Sequence, residues 1–260
     1  SLVLFVVLVW QFWPVSGDPS LKKYVHNKPP VDIVFTSRTN TASFVAAAPE
    51  GEGYVYPGQE LWQAPEGRLR VLTTQGTVRE LTWNKPLPDG QLLIDVMSPS
   101  VSPDGQKVLF AGRKAAPDPG HFRLYEIRVD GSGLRQLTGG PDDPGCSALP
   151  PLRYRQAGDQ TLLSEAERRT TDYDDVDPIL VGENGPIVFA SSRTPDFGRG
   201  HSRRSTTLWR MHLDGSDKRP ITANRNNDRW PVMLSSGYVA FSLWSYNPEV
   251  ITADGHEIRP

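Results

Sequence analysis

Ile187-Val188-Phe189-Ala190 is an unbroken apolar run, entered from Gly185-Pro186 and followed by Arg193. A strand with one wet face alternates polar and apolar side chains, so a run that does not alternate belongs to a strand covered on both faces. The pattern recurs along the chain. Val31-Asp32-Ile33-Val34-Phe35 leads to Arg38, and Val108-Leu109-Phe110 leads to Arg113. Tyr238-Val239-Ala240-Phe241 keeps the phenylalanine and loses the arginine.

A second unit follows each run. Leu124-Tyr125-Glu126-Ile127-Arg128-Val129 enters Asp130-Gly131-Ser132, and Leu208-Trp209-Arg210-Met211-His212-Leu213 enters Asp214-Gly215-Ser216. Val250-Ile251-Thr252-Ala253 enters Asp254-Gly255. Arg135, Arg219 and Arg259 each stand five positions after the turn aspartate, and Leu137-Thr138 and Ile221-Thr222 close the outgoing strand. Gln59-Glu60-Leu61-Trp62 with Val78-Arg79-Glu80-Leu81-Thr82 reads as a divergent first copy, its third strand at Trp62. Asp-Gly accepts the positive φ of a two-residue hairpin. Ser102-Pro103-Asp104-Gly105 supplies a further turn ahead of Lys107.

Each copy therefore holds four short antiparallel strands: a Pro-containing strand, the apolar run, a strand before Asp-Gly, and one ending in Leu-Thr or Ile-Thr. The third strand alternates, with Ile127 and Val129 against Glu126 and Arg128, which suits a place nearer a rim. Four-stranded sheets sandwiched between neighbours are the blades of a β-propeller, and the fold class expected is all-β, a propeller of four-stranded antiparallel blades. The step from Gly215 to Gly255 matches a repeat of about 40 residues.

The expected division is 1–17 as a signal peptide or membrane anchor, 18–30 as a linker, and 31–260 as propeller repeats. Within the repeats, 31–97 is the divergent first blade, 98–140 the second, 141–172 an insertion, 173–223 the third, and 224–260 a truncated fourth. About four copies lie at the lower end of the usual 4–8 blades, so the expectation is an incomplete ring, an open arc with exposed edges or one that closes only through poor contacts.

Composition narrows the function classes. The 260 residues carry a formal net charge of −2, which removes the basic excess of a dedicated nucleic-acid binder. Gly 23 and Pro 24 suit a chain of many turns. Cys146 is the single cysteine, which excludes an intrachain disulfide, a four-cysteine metal site and a thioether haem attachment within this sequence. Ser1 to Val15 is uncharged and apolar, short of the ~20 residues of a membrane span. It fits the core of a secretory signal, the alternative being a first buried strand. Membrane contact is expected only there, and the protein is expected to be periplasmic or otherwise exported.

The repeat resembles the TolB-type, WD40-like propeller repeat through Ser102-Pro103-Asp104-Gly105, Val108-Leu109-Phe110, Leu124 to Ser132 and Arg135-Gln136-Leu137-Thr138. A narrower likeness is to proteins related to the alpha subunit of hydrazine synthase. It rests on Asp32 to Arg38, on Tyr173-Asp174-Asp175-Val176-Asp177-Pro178, and on Asn224 to Pro231. That resemblance implies an exported propeller, often joined to c-type haem segments. With one cysteine, this stretch holds no haem by a thioether pair, so hydrazine synthesis does not carry over, and no cofactor is expected in this stretch.

Among chemistry-bearing residues, Arg199, His201, Arg203 and Arg204 form a basic loop suited to an anionic ligand or an acidic partner surface. The alternative is a solvated loop, given Gly198, Gly200 and Ser202. Asp172, Asp174, Asp175 and Asp177 have oxygen ligands suited to Ca²⁺, although a structural role at the start of the strand is favoured. His212 is expected to face solvent; His121 and His201 sit in loops that could share one face. Most tryptophans are expected in packing between blades. No catalytic motif of a hydrolase, zinc protease or dinucleotide enzyme occurs in the sequence. The expected function is that of a non-catalytic exported propeller, a binding or assembly scaffold with a protein partner or a further C-terminal module. The alternatives are the propeller part of a haem-containing periplasmic oxidoreductase and the accessory propeller of a serine peptidase.

Overall fold

The computed structural model describes residues 28–39, 64–115, 121–140, 143, 173–193, 206–224 and 227–244. They form strands and turns only, arranged as successive antiparallel sheets. Sheet 1 holds β1 (Ile33–Arg38), β2 (Gly67–Leu72) and β3 (Val78–Glu80) in that order. Sheet 2 holds β4 (Leu93–Val101), β5 (Lys107–Lys114), β6 (Arg123–Arg128) and β7 (Arg135–Gln136). Sheet 3 repeats this with β8 (Asp175–Leu180), β9 (Ile187–Ser191), β10 (Thr207–Met211) and β11 (Arg219–Pro220). The described part of sheet 4 is β12 (Asn227–Met233) and β13 (Val239–Trp244).

Sheet 1 touches sheet 2, sheet 2 touches sheet 3 and sheet 3 touches sheet 4; among the described strands the first and last do not meet. The described strands thus form an open succession of blades. The apolar runs explain it. In β5, Val108 and Phe110 enter the core shared with sheet 1 (Leu69, Val71, Leu81), while Leu109 and Ala111 enter the core shared with sheet 3 (Val176, Ile187, Trp209). One strand thereby feeds two cores, which is why its residues do not alternate in polarity. Phe110 and Phe189 are both 0% exposed. Phe241, at the same place in the fourth copy, is 37% exposed. The expectation of full burial fails there because, among the described strands, sheet 4 meets another sheet on one face only, whereas sheets 2 and 3 are each covered on both faces.

Three local expectations are corrected. The third strand of the first copy is Gly67–Leu72, not Gln59 to Trp62, which lie outside the described residues. It alternates cleanly, Leu69 and Val71 inward against Arg68 and Arg70. Next, β4 begins at Leu93 and pairs with β5, so the second blade takes residues that a boundary after 97 assigned to the first. Finally, the Asp-Gly turns are not two-residue hairpins. Gly131 N–H donates to the Arg128 carbonyl and Gly215 N–H to that of His212, and in each turn the glycine, not the aspartate, has positive φ. This is a type I turn closed by a left-handed glycine. Asp130 and Asp214 accept from the backbone N–H and hydroxyl of Ser132 and Ser216 instead, bonds that hold both carboxyls below the usual carboxylate range.

The Leu-Thr and Ile-Thr endings have a shared purpose. The hydroxyls of Thr82, Thr138 and Thr222 accept from the backbone N–H of Leu69, Leu124 and Leu208 at 3.0, 3.0 and 2.9 Å. Each locks a fourth strand onto the third strand of its sheet. Glu126, expected on the open side of its strand, is buried beneath Arg135 and Lys107.

Phe189→Ala should cost about 3–5 kcal/mol in urea denaturation, the range for large-to-small changes in a closed core. Phe241→Ala should cost about 1 kcal/mol, reflecting the smaller area it removes from water. Equal losses would contradict the burial described for β9 and β13.

Candidate functional site

The Pro-containing strands β4, β8 and β12 carry the polar chemistry that joins one sheet to the next. Each breaks register at a matching place, between Met97 and Ser100, between Val176 and Ile179, and between Arg229 and Val232, with β4 shifting once more between Leu93 and Asp95. Each matching break contains a residue of positive φ followed by proline. The pairs are Ser98-Pro99, Asp177-Pro178 and Trp230-Pro231, with φ of 52°, 53° and 52°. A bulge of this kind turns one side chain away from the strand's regular face. Ser98 Oγ donates to Asp177 Oδ1 at 2.7 Å, and Asp177 Oδ2 accepts from Arg229 Nε and from the Trp230 backbone N–H. One buried carboxylate thus ties three sheets together. Trp230, expected among the packing tryptophans, is 45% exposed with the Arg229 guanidinium 5.1 Å from its ring centre. Trp209 does pack between sheets, fully buried.

A second set of side chains lies three residues before each bulge residue, at Asp95, Asp174 and Asn227. Asp95 accepts the backbone N–H of Ala64, Asp174 that of Phe122 and Asn227 that of Thr206, at 2.7, 2.7 and 3.0 Å. Every donor lies at the approach to the third strand of the preceding sheet. Arg38, at the end of the first apolar run, closes on Asp95 through two hydrogen bonds of 2.8 and 2.7 Å. Gly67 is required at this seam, since a Cβ there would stand 2.4 Å from Asp95 Oδ1.

The densest group surrounds Arg193. Its guanidinium bonds both oxygens of Asp175, at 3.3 and 2.7 Å, and also reaches Asp143, where residues 144–172 begin. Tyr173, where those residues end, lies between Arg193 and Arg123, whose guanidinium carbons are 4.3 and 4.2 Å from its ring centre. Burial pushes the Tyr173 hydroxyl up to about 12, keeping it protonated. Burial alone would raise the Asp175 pKa; the Arg193 charge and hydrogen bonds outweigh it and hold that carboxyl below its ordinary value.

The sequence-derived candidates divide accordingly. Asp174, Asp175 and Asp177 are committed to protein partners, so the structural role holds for them; Asp172 lies outside the described residues. Arg199, His201, Arg203 and Arg204 also lie outside, between Arg193 and Thr206. His121 Nδ1 is 3.5 Å from Asp174 Oδ1, and His212 faces solvent as expected. The bulges escaped the sequence reading, although each is signalled by an Asp or Asn three residues before a residue–proline pair.

Neither family models nor curated proteins match this chain. Solved structures do. Hydrazine synthase of Kuenenia stuttgartiensis aligns over 90% of this chain and 30% of its own, at 18% identity and TM-score 0.52. The fold is a β-propeller. A putative TolB from Agrobacterium tumefaciens aligns over 68% of this chain and 45% of its own, at 21% identity and TM-score 0.42. TolB from Acinetobacter baumannii aligns over 68% and 32%, at 16% identity and TM-score 0.39. This propeller, similar in fold to hydrazine synthase, spans less than half the length of these structures.

Arg193→Ala should destabilise the propeller by about 3–5 kcal/mol, since it leaves a buried carboxylate without its cation. Because the Asp175 pKa is depressed on folding, its contribution is present above the unfolded value near 3.8 and is lost as pH falls through the folded value. Acid titration followed by tryptophan fluorescence should therefore show a transition below about pH 4 that is weaker in Asp175→Asn.

Proposed function

We propose that this chain is an exported, non-catalytic scaffold, part of a larger protein related to the hydrazine synthase alpha subunit. Its role is to hold a protein partner or a further module of its own polypeptide. The observation that carries the reading is the exposure of apolar side chains along the β12–β13 ribbon, Phe241 and Leu243 on one face, Val232 on the other, and Leu234 and Tyr238 at its turn, beside a stack whose other sheets are dry between neighbours. Apolar strips of this density on a sheet favour burial against another surface. A second contact comes from the basic loop: Arg199, His201, Arg203 and Arg204 leave from Arg193, a fixed anchor, and suit an acidic partner. Export rests on the uncharged apolar Ser1 to Val15.

Affinity capture of the full-length protein from its native extract should recover a partner at low salt. Arg199→Glu, Arg203→Glu and Arg204→Glu together should lower recovery about tenfold or more, as expected when rim charges that steer association are reversed. Unchanged recovery would remove the loop from the interface. Fusing residues 1–30 to a reporter active only after export tests localisation, and silence of the reporter would refute it.

A second reading is supported by the likeness in fold to hydrazine synthase: the propeller positions a haem module carried elsewhere. A Soret band in the full-length protein would favour it over the plain scaffold.

A further inference from the structure

The fourth copy keeps a carboxylate for which the third copy provides an arginine. Asp175 and Asp228 hold the same place in β8 and β12, two residues before the bulge residue, facing Ser191 and Leu243 of the second strand. Both are 0% exposed. The arginine that meets Asp175 follows Ser191 by two positions, and the residue two past Leu243 is Ser245. Asp228 Oδ1 accepts from Asn224 Nδ2 at 2.9 Å, while Oδ2 is shut off from solvent and has no hydrogen-bond partner among the described residues. A carboxylate buried in this way is strongly unfavourable unless a positive charge reaches it.

Two acceptor oxygens already converge on one atom. The Asn224 amide nitrogen that lies 2.9 Å from Asp228 Oδ1 also lies 3.4 Å from the Asn227 carbonyl oxygen. It occupies the position of a cation among acceptors. A carboxamide has the same shape in both orientations, and turning it over replaces the nitrogen by Oδ1. Both Asp228 oxygens, the Asn224 carbonyl and the Asn227 backbone carbonyl then form a set of hard oxygen donors. Calcium accepts such a set, with flexible geometry and waters completing its shell. The Asn227 Nδ2 group is also buried and, among the described residues, has no hydrogen-bond partner.

We propose that Asp228, Asn224 and the Asn227 carbonyl bind a calcium ion at the seam between sheets 3 and 4. The ion does for the fourth blade what Arg193 does for the third. A single carboxylate sets a weak site, with Kd of about 10⁻⁴–10⁻³ M, the range of extracellular modules with few charged ligands.

The test is melting of the whole chain with calcium or magnesium, together with terbium luminescence excited through tryptophan, Trp230 being two residues from Asp228. Millimolar calcium should raise the melting temperature by a few degrees, magnesium should do so far less, and calcium should displace terbium. Asp228→Asn should abolish both responses. Asn224→Asp adds a charged ligand and should tighten calcium roughly tenfold. The proposal fails if calcium leaves melting and terbium emission of the unaltered protein unchanged, or if Asp228→Asn responds like it. If that variant does not fold, Asn224→Asp decides: unchanged or weaker calcium affinity overturns the assignment.

Discussion

Adjacent sheets here are joined by acceptors on one strand reaching the backbone of the blade before it. Asp95, Asp174 and Asn227 each take an N–H that would otherwise be left at the mouth of a third strand. Apolar stacking supplies the larger area, but it is tolerant of sliding. A carboxylate or amide oxygen set against one particular N–H is not. The seams therefore fix the angle and height at which each blade meets the next, and the two cores fill the space so defined. Charged donors reinforce this: Arg38 on Asp95, Arg193 on Asp175 and Arg229 on Asp177. These pairs are largely buried, and removing one partner leaves the other exposed to the full cost of desolvation.

Much of the architecture is legible from polarity alone. The run Val108 to Ala111 must serve two cores, and a strand that does so needs neighbours on both sides. The Thr endings are equally readable, since a hydroxyl at a fixed distance from an Asp-Gly turn recurs in register. What polarity could not supply was the third strand of the first blade. Gln59 to Trp62 looked like its counterparts by composition, whereas Gly67–Leu72 was chosen by geometry, because only glycine tolerates the approach of Asp95. The turns misled for a related reason. Asp-Gly is compatible with two hairpin types, and the serine that follows selects the one in which aspartate is an acceptor.

The seam network was only half legible. The acidic run from Asp172 to Asp177 was visible, and so were Arg38 and Arg193 after two of the apolar runs and Arg229 within the stretch from Asn224 to Pro231. Their pairing was not, because the partners differ from blade to blade: Arg38 crosses forward, Arg193 stays within its sheet, and Arg229 reaches back. A repeat that conserves the acceptor and varies the donor hides its logic from spacing. The burial of Phe241 was overestimated because its counterparts lie in sheets covered on both faces, whereas among the described strands sheet 4 meets only sheet 3.

The fourth strands are only three, two and two residues long in β3, β7 and β11. Such stubs present too few free backbone groups to template another chain, so the outer circumference resists the edge-to-edge growth that leads to fibrils. Crowding with its own kind is thereby discouraged at the perimeter.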